Sequence, residues 1–96
     1  MTQVFVVYET DAWHTIRNRD CKGIFTSKRS AINAIVRNFD IDLDELFEPD
    51  YIAKTSRKRL REEAKKIIRR ELEDNFQTQG YSTNYDIEVW NVNDWG

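Results

Sequence analysis

The chain predicts an α+β domain: a three-stranded antiparallel sheet in the order 2-1-3, helices packed on one face, and the topology β-β-α-α-α-β. Three observations predict it. Two β-rich runs open the chain, around Val4–Tyr8 and Cys21–Phe25. Two stretches of helical periodicity fill its middle. An alternation of period two closes it, with Tyr85, Ile87 and Val89 against Asp86, Glu88 and Trp90. At 96 residues the whole length, 1–96, reads as one small domain.

The first strand runs from Gln3 to Asp11. Val4, Phe5, Val6, Val7 and Tyr8 are β-branched or aromatic on both phases. That is too apolar for an outer edge and makes this strand central. Asn18, Arg19 and Asp20 mark a turn, and Cys21 to Thr26 resumes as a second strand ending at Phe25. Residues 12–19 then form a long connection, which Trp13 and Ile16 keep from full solvation. Ser27, with Thr26 competing, caps a helix over about 28 to 39 in which Ala31, Ile32, Ile35, Val36 and Phe39 recur. Asp42 caps a short helical turn carrying Leu43, Leu46 and Phe47, which Pro49 ends. Thr55 or Ser56 caps a long helix over about 57 to 77, with Leu60, Ala64, Ile67, Ile68, Leu72 and Phe76 as its apolar arc. Gly80 is placed to terminate it. Glu71 falls inside the arc, and drift of the arc towards the surface is favoured over burial, because an unpaired buried carboxylate is costly. Tyr85 to Asn93 is the third strand, with Trp90 on its polar phase.

Composition bounds the function. The chain is 40% hydrophobic and 33% charged, hence globular. Its single cysteine cannot form an internal disulfide and fits a reducing compartment. The opening MTQVFVVYETD has no basic stretch and too short an apolar run for a signal peptide. No segment approaches the roughly 20 apolar residues of a membrane span. The expectation is a soluble, cytoplasmic protein with no membrane partner. Net charge is −2, which does not favour a polyanion, but the charge is uneven. Residues 57–74 hold eight Lys and Arg against five Asp and Glu, while Asp40 to Asp50 holds six carboxylates.

Three segments, "VYETDAWHT", "GIFTSKRSAI" and "QTQGYSTNYDIEVWNVN", carry a resemblance. Together they resemble a set of small, functionally uncharacterised proteins of gut-type bacteria and their phages. These share a tyrosine-rich first strand, a Trp-His loop, a Gly-x-Phe-Thr-Ser junction and a Gln-Thr-Gln-Gly segment before a terminal strand. The resemblance covers both ends of the chain and leaves out residues 40–56. It implies a small accessory protein of mobile-element or phage origin and assigns no site residue, since the set has no known activity.

Several constellations are candidates for chemistry. Glu9 and Asp11 share a strand face, His14 follows, and Asp20 lies across the loop; carboxylates with a histidine can hold a divalent metal. The plainer reading places both carboxylates on the wet face at the strand end and leaves His14 bonded to loop backbone, so no metal is expected. Cys21 and His14 suggest a nucleophile and base. Without an oxyanion-type glycine loop, Cys21 is read instead as a small buried hydrophobe. On the long helix, Lys58, Arg61, Lys65 and Arg69 form a basic stripe able to meet phosphates. Against it, Lys58–Glu62, Arg59–Glu63, Glu62–Lys66, Arg69–Glu73 and Arg70–Asp74 are i,i+4 pairs of opposite sign, the pattern of a self-paired face.

Trp90 and Trp95 lie near the C-terminus. On the open face, Trp90 makes an exposed aromatic patch with Trp13 nearby, covered by a partner, a second copy, or the 12–19 loop. The sequence contains no phosphate-binding glycine loop, zinc spacing or nucleophile triad. The expected function is therefore non-enzymatic: a protein-binding or regulatory accessory module, using Trp13, His14 and Trp90 to contact an unidentified protein or a homodimer partner, with no cofactor. The alternative is a nucleic-acid-binding accessory protein using Lys58, Arg61, Lys65 and Arg69.

Overall fold

The computed structural model describes residues 2–11, 13, 19–81 and 83–92. Strand β1 (Thr2–Asp11) lies between β2 (Asp20–Phe25) and β3 (Thr83–Val92), both antiparallel to it, giving the order β2-β1-β3. The fold is α+β, as the sequence predicts. Between β2 and β3 run α1 (Lys28–Asn38), α2 (Leu43–Leu46), α3 (Pro49–Lys54) and α4 (Arg57–Asn75). Helix α1 rests on β1 and β2, and α4 packs on α1. None of the described helices is long and apolar enough to cross a membrane.

Local chemistry accounts for the helix starts. The Ser27 hydroxyl accepts from the Ser30 N–H, that of Ser56 from Arg59, and an Asp42 carboxylate oxygen from Asp44. Thr26 and Thr55 are not the caps. Helix α3 was not expected: Pro49 stands at its first position, where a missing N–H has no cost, so the proline that ends α2 also starts a new helix. Nor does Gly80 end α4. The helix stops at Phe76, which is left-handed at φ 60° and is held on three sides. Its N–H bonds to the Leu72 carbonyl, its carbonyl accepts from Ile87 N–H at 2.7 Å, and the Lys28 ammonium sits 3.9 Å above its ring. These tertiary contacts outweigh the usual preference for glycine.

The core joins Val7, Tyr85 and Ile87 of the sheet to Ala31, Ile32, Ile35 and Val36 of α1 and to Ile68 and Leu72 of α4. Leu60 and Ala64 are also fully buried. Ile67, placed in the apolar arc by periodicity, is 38% exposed, because the buried stripe runs through 60, 64, 68 and 72. Glu71 is half-buried at the margin of that stripe, where its carboxylate accepts from the Tyr81 hydroxyl at 3.0 Å.

Register decides how far the layers overlap. β2 pairs with β1 only from Phe5 opposite Phe25 to Glu9 opposite Asp20, with a bulge that leaves Lys22 unmatched. A Cβ on Gly23 would come within 3.0 Å of the Phe25 ring, so the glycine lets that ring lie along the strand. β3 pairs with β1 over its whole length, Thr2 opposite Val92 to Asp11 opposite Thr83. Residues 2–4 and 90–92 therefore form a two-stranded ribbon that continues beyond β2. On the outer side of β3, Gln77 bridges Asp86, and Thr78 N–H bonds to the Tyr85 carbonyl at 3.0 Å, so residues 76–78 cover that edge as far as Ile87.

Candidate functional site

Alternation along β1 and β3 sorts the candidate residues. Phe5, Val7 and Glu9 face the helices with Val89, Ile87 and Tyr85, their register partners. Val4, Val6 and Tyr8 share the open face with Trp90, Glu88 and Asp86, and Ile24 joins them opposite Val6.

On the open face the side chains form a chain of contacts. The Arg19 guanidinium lies 4.0 Å above the Tyr8 ring and forms a hydrogen-bonded ion pair with Glu88 across β1. The second Glu88 oxygen accepts from the Trp90 indole N–H at 3.0 Å. Glu88 is held below its ordinary range, first by the Arg19 hydrogen bond and then by that of Trp90, against an opposing effect of burial. The indole is thus fixed in direction while 52% exposed. Around it Ile24 is 66% exposed and Val92 44%, and on the opposite face Val89 is 42% exposed. The open face of this end is therefore apolar, whereas the opposite face carries the exposed pair Gln3 and Asn91 beyond Phe5 and Val89.

Trp13 does not join that patch. It is 84% exposed in a turn just beyond Asp11, its N–H donating to Asp11 at 3.1 Å, and it does not stand near Trp90. Trp90 is opposite Val4, seven residues along β1 from Asp11 and thus roughly 23 Å away at about 3.3 Å per residue. His14, Ile16 and Trp95 lie outside the described residues.

Glu9 and Asp11 share a face, but it is the helix-facing one rather than the wet one, since they continue the phase of Phe5 and Val7. Glu9 accepts from the Tyr85 hydroxyl at 3.1 Å and has Lys22 at 3.8 Å. Two clefts meet at this pair. One, of about 420 Å³, adds Asp40, Asp42, Glu45 and Tyr81; the other, of about 470 Å³, has Lys22 and Arg37 over a floor of Val7, Phe25 and Ile35. Burial first, then the Glu9 charge and hydrogen bond, push Tyr85 up to about 12, so at neutral pH it is a proton donor and not a base. Among the described residues, no group of three or more His, Cys, Asp or Glu side chains is arranged to hold a metal ion. Cys21 is a free, exposed thiol beside Tyr8 on the open face. The expected buried hydrophobe is not found. The Glu9–Tyr85 pair was missed by sequence reasoning; the register that opposes residues 9 and 85 is its only signal.

The basic stripe is more open than its i,i+4 pattern implies. Of the five pairs, only Arg59–Glu63 closes among the described residues, at 3.3 Å, and Glu63 also accepts from the Tyr51 hydroxyl. Lys58, Arg61 and Lys65 are exposed, whereas Arg69 turns to α1 and donates to Asn33 at 2.6 Å. Long, solvated side chains gain too little from such pairing to be held in one geometry.

Fold and site define a small α+β domain with a helix-backed sheet and an apolar ribbon at one end. No family model, curated protein or solved structure matches the chain.

Proposed function

We propose that the protein is a non-enzymatic, protein-binding accessory module whose contact surface is the open face at the ribbon end of the sheet, centred on Trp90. A mobile-element or phage origin rests on the resemblance of its terminal segments alone. One observation carries the reading: an indole half in water yet hydrogen-bonded to Glu88, which is itself held by Arg19. An exposed tryptophan has a hydration cost, and fixing its direction lowers the entropy lost when a partner covers it. Trp13 stands at the opposite end and is not part of this surface. The test compares wild type with Trp90→Ala. The variant keeps its far-UV spectrum and thermal midpoint and loses the protein contacts, self-association included, that nuclease-treated pull-down and sedimentation detect. Unchanged contacts in Trp90→Ala contradict the reading.

Nucleic acid is the second reading, favoured by the exposed Lys58, Arg61 and Lys65, which have no ion-pair partner among the described residues. On duplex DNA it requires a log–log salt slope near −0.9 per phosphate neutralised, flattened by Arg61→Ala. Submicromolar affinity at physiological salt, lost on substituting the stripe, would put this reading first.

A further inference from the structure

We infer that the cleft between α1 and the β1–β2 pair binds a small apolar monocarboxylate, its charge held by Lys22 and Arg37 and its body laid on Val7, Phe25 and Ile35. The site lies on the helix-facing side of the sheet and is independent of the Trp90 surface.

Three features build it. The first is the bulge in β2. Ile24 pairs with Val6 on the open face, and strict alternation from there would put Lys22 on that face too. The bulge inserts one residue between the partners of Val7 and Tyr8. Cys21 therefore takes the open face beside Tyr8, and Lys22 turns to the helix side, where it lines the cleft and has Glu9 at 3.8 Å. The second feature is Gly23, opposite Val7. The Phe25 ring stands 3.0 Å from where its Cβ would be, so aromatic surface, rather than another side chain, adjoins Lys22 in the cleft. The third is the last turn of α1, which brings Arg37 and Asn38 to the cleft from the helix side. The Asn38 amide donates to the Ala34 carbonyl at 2.8 Å and is held there.

Floor and charge together select the ligand. Val7 and Ile35 are buried and apolar, and the volume of about 470 Å³ falls in the range of small-molecule sites. Lys22 and Arg37 outnumber the one carboxylate of the cleft, Glu9, which already accepts from the Tyr85 hydroxyl. One negative charge is therefore matched. A second would be opposed, because Asp40, Asp42 and Glu45 line the adjoining cleft beyond the Glu9–Tyr85 pair. That favours a monoanion over a phosphate-like dianion.

Arg37 alone would need no ligand, since a cation suits the last turn of a helix. Lys22 is different. Its contact with Glu9, at 3.8 Å between partly exposed side chains, contributes too little to account for a bulge that redirects it. Bulges beside binding sites do just this, re-aiming one side chain into a cleft.

Titration with 2-naphthoate, followed in amide NMR spectra of the full chain, tests the site. It should saturate one site per chain with a Kd below ~1 mM and shift the amides of Val7, Gly23, Ile35 and Asn38. The neutral 2-naphthamide keeps the body and loses the charge, and should bind about tenfold more weakly. Acetate, the charge without the body, should not bind measurably. Lys22→Gln and Arg37→Gln, at exposed positions, should leave the thermal midpoint unchanged and each weaken 2-naphthoate about threefold. Arg29→Gln, on the same helix but outside this cleft, should not weaken it. Failure of 2-naphthoate to saturate, or equal affinity for it and its amide, overturns the inference. So do equal effects of all three substitutions, or shifts centred on Trp90.

Discussion

The two ends of the β1–β3 ladder are built from opposite materials. At the end where Asp11 meets Thr83, polar groups are buried and, the Thr10 hydroxyl excepted, matched among the described residues. Asn84 and Thr78 are fully buried; the Thr78 hydroxyl donates to the Asn84 side-chain oxygen at 3.0 Å and accepts from Tyr85 N–H. Asn84 in turn donates to the Tyr81 carbonyl at 2.7 Å. Phe39 packs on Tyr81 and Tyr85, with ring centroids 5.3 and 5.6 Å away. At the other end apolar side chains stand in water, and backbone groups on the outer edge have no mate among the described residues. A folding core uses the first arrangement. The second makes sense as a surface kept for contact, and substitutions at the two ends should therefore have opposite consequences.

The largest expected effect belongs to the helical layer behind the sheet. Ile68→Ala or Leu72→Ala removes a fully buried side chain and should cost about 2–5 kcal/mol, a large part of the stability of a domain this size. Trp90→Ala should cost less than about 1 kcal/mol in the dilute monomer, as surface changes do. Denaturant titrations of the three variants measure both, and equal losses would erase the distinction between the ends.

Next in size is the polar cluster. Asn84→Ala strands the Thr78 hydroxyl and the Tyr81 carbonyl and should cost about 1–3 kcal/mol, whereas Asn91→Ala, on the exposed ribbon, should lie within about 0.5 kcal/mol. The same titrations decide it.

Titration sharpens the contrast further. The phenol of Tyr85 is raised from 10.0 to about 12, so the fold holds its proton more tightly than the unfolded chain does. Its contribution is complete below pH 10.0 and is lost as pH rises from there through about 12. Tyr85→Phe should flatten the alkaline limb of the stability curve over that window. Glu88 at the ribbon end has the reverse sign: its value is lowered, so its contribution is present above the ordinary 4.5 and lost as pH falls through the lowered value. Because that carboxylate is partly solvated, the acid effect should be the smaller, visible as a slight difference between wild type and Glu88→Gln in thermal melts below pH 4.5.

Much of this architecture is legible in the residues. Period two in Tyr85, Ile87 and Val89 sets the phase of β3 and puts Trp90 on the open face; the spacing of Ile32, Ile35 and Val36 sets the buried face of α1. Side-chain caps at Ser27, Asp42 and Ser56 were readable because they act within three residues. What escaped depends on contacts between distant segments. Phe76 takes a left-handed conformation because Lys28 and Ile87 hold it, and no local pattern announces that. Gln77 and Thr78 pair with β3 although nothing in their composition reads as a strand. Glu9 meets Tyr85 only through the register, and the ribbon exists because β2 ends at Phe25 while β3 runs on to Val92. Of the candidate site, Trp90 was found by its phase. Trp13 was grouped with it because sequence gives the order of residues but not which end of a strand they share.

The most direct measurement is amide hydrogen exchange at three residues of β3, followed against protein concentration. Ile87 N–H, bonded to the Phe76 carbonyl, should be protected at every concentration. Val89 and Asn91, whose outward N–H groups have no partner among the described residues, should exchange rapidly in the isolated chain and gain protection when a protein covers this surface. Protection of Val89 and Asn91 equal to that of Ile87 in the dilute, isolated chain would contradict the account.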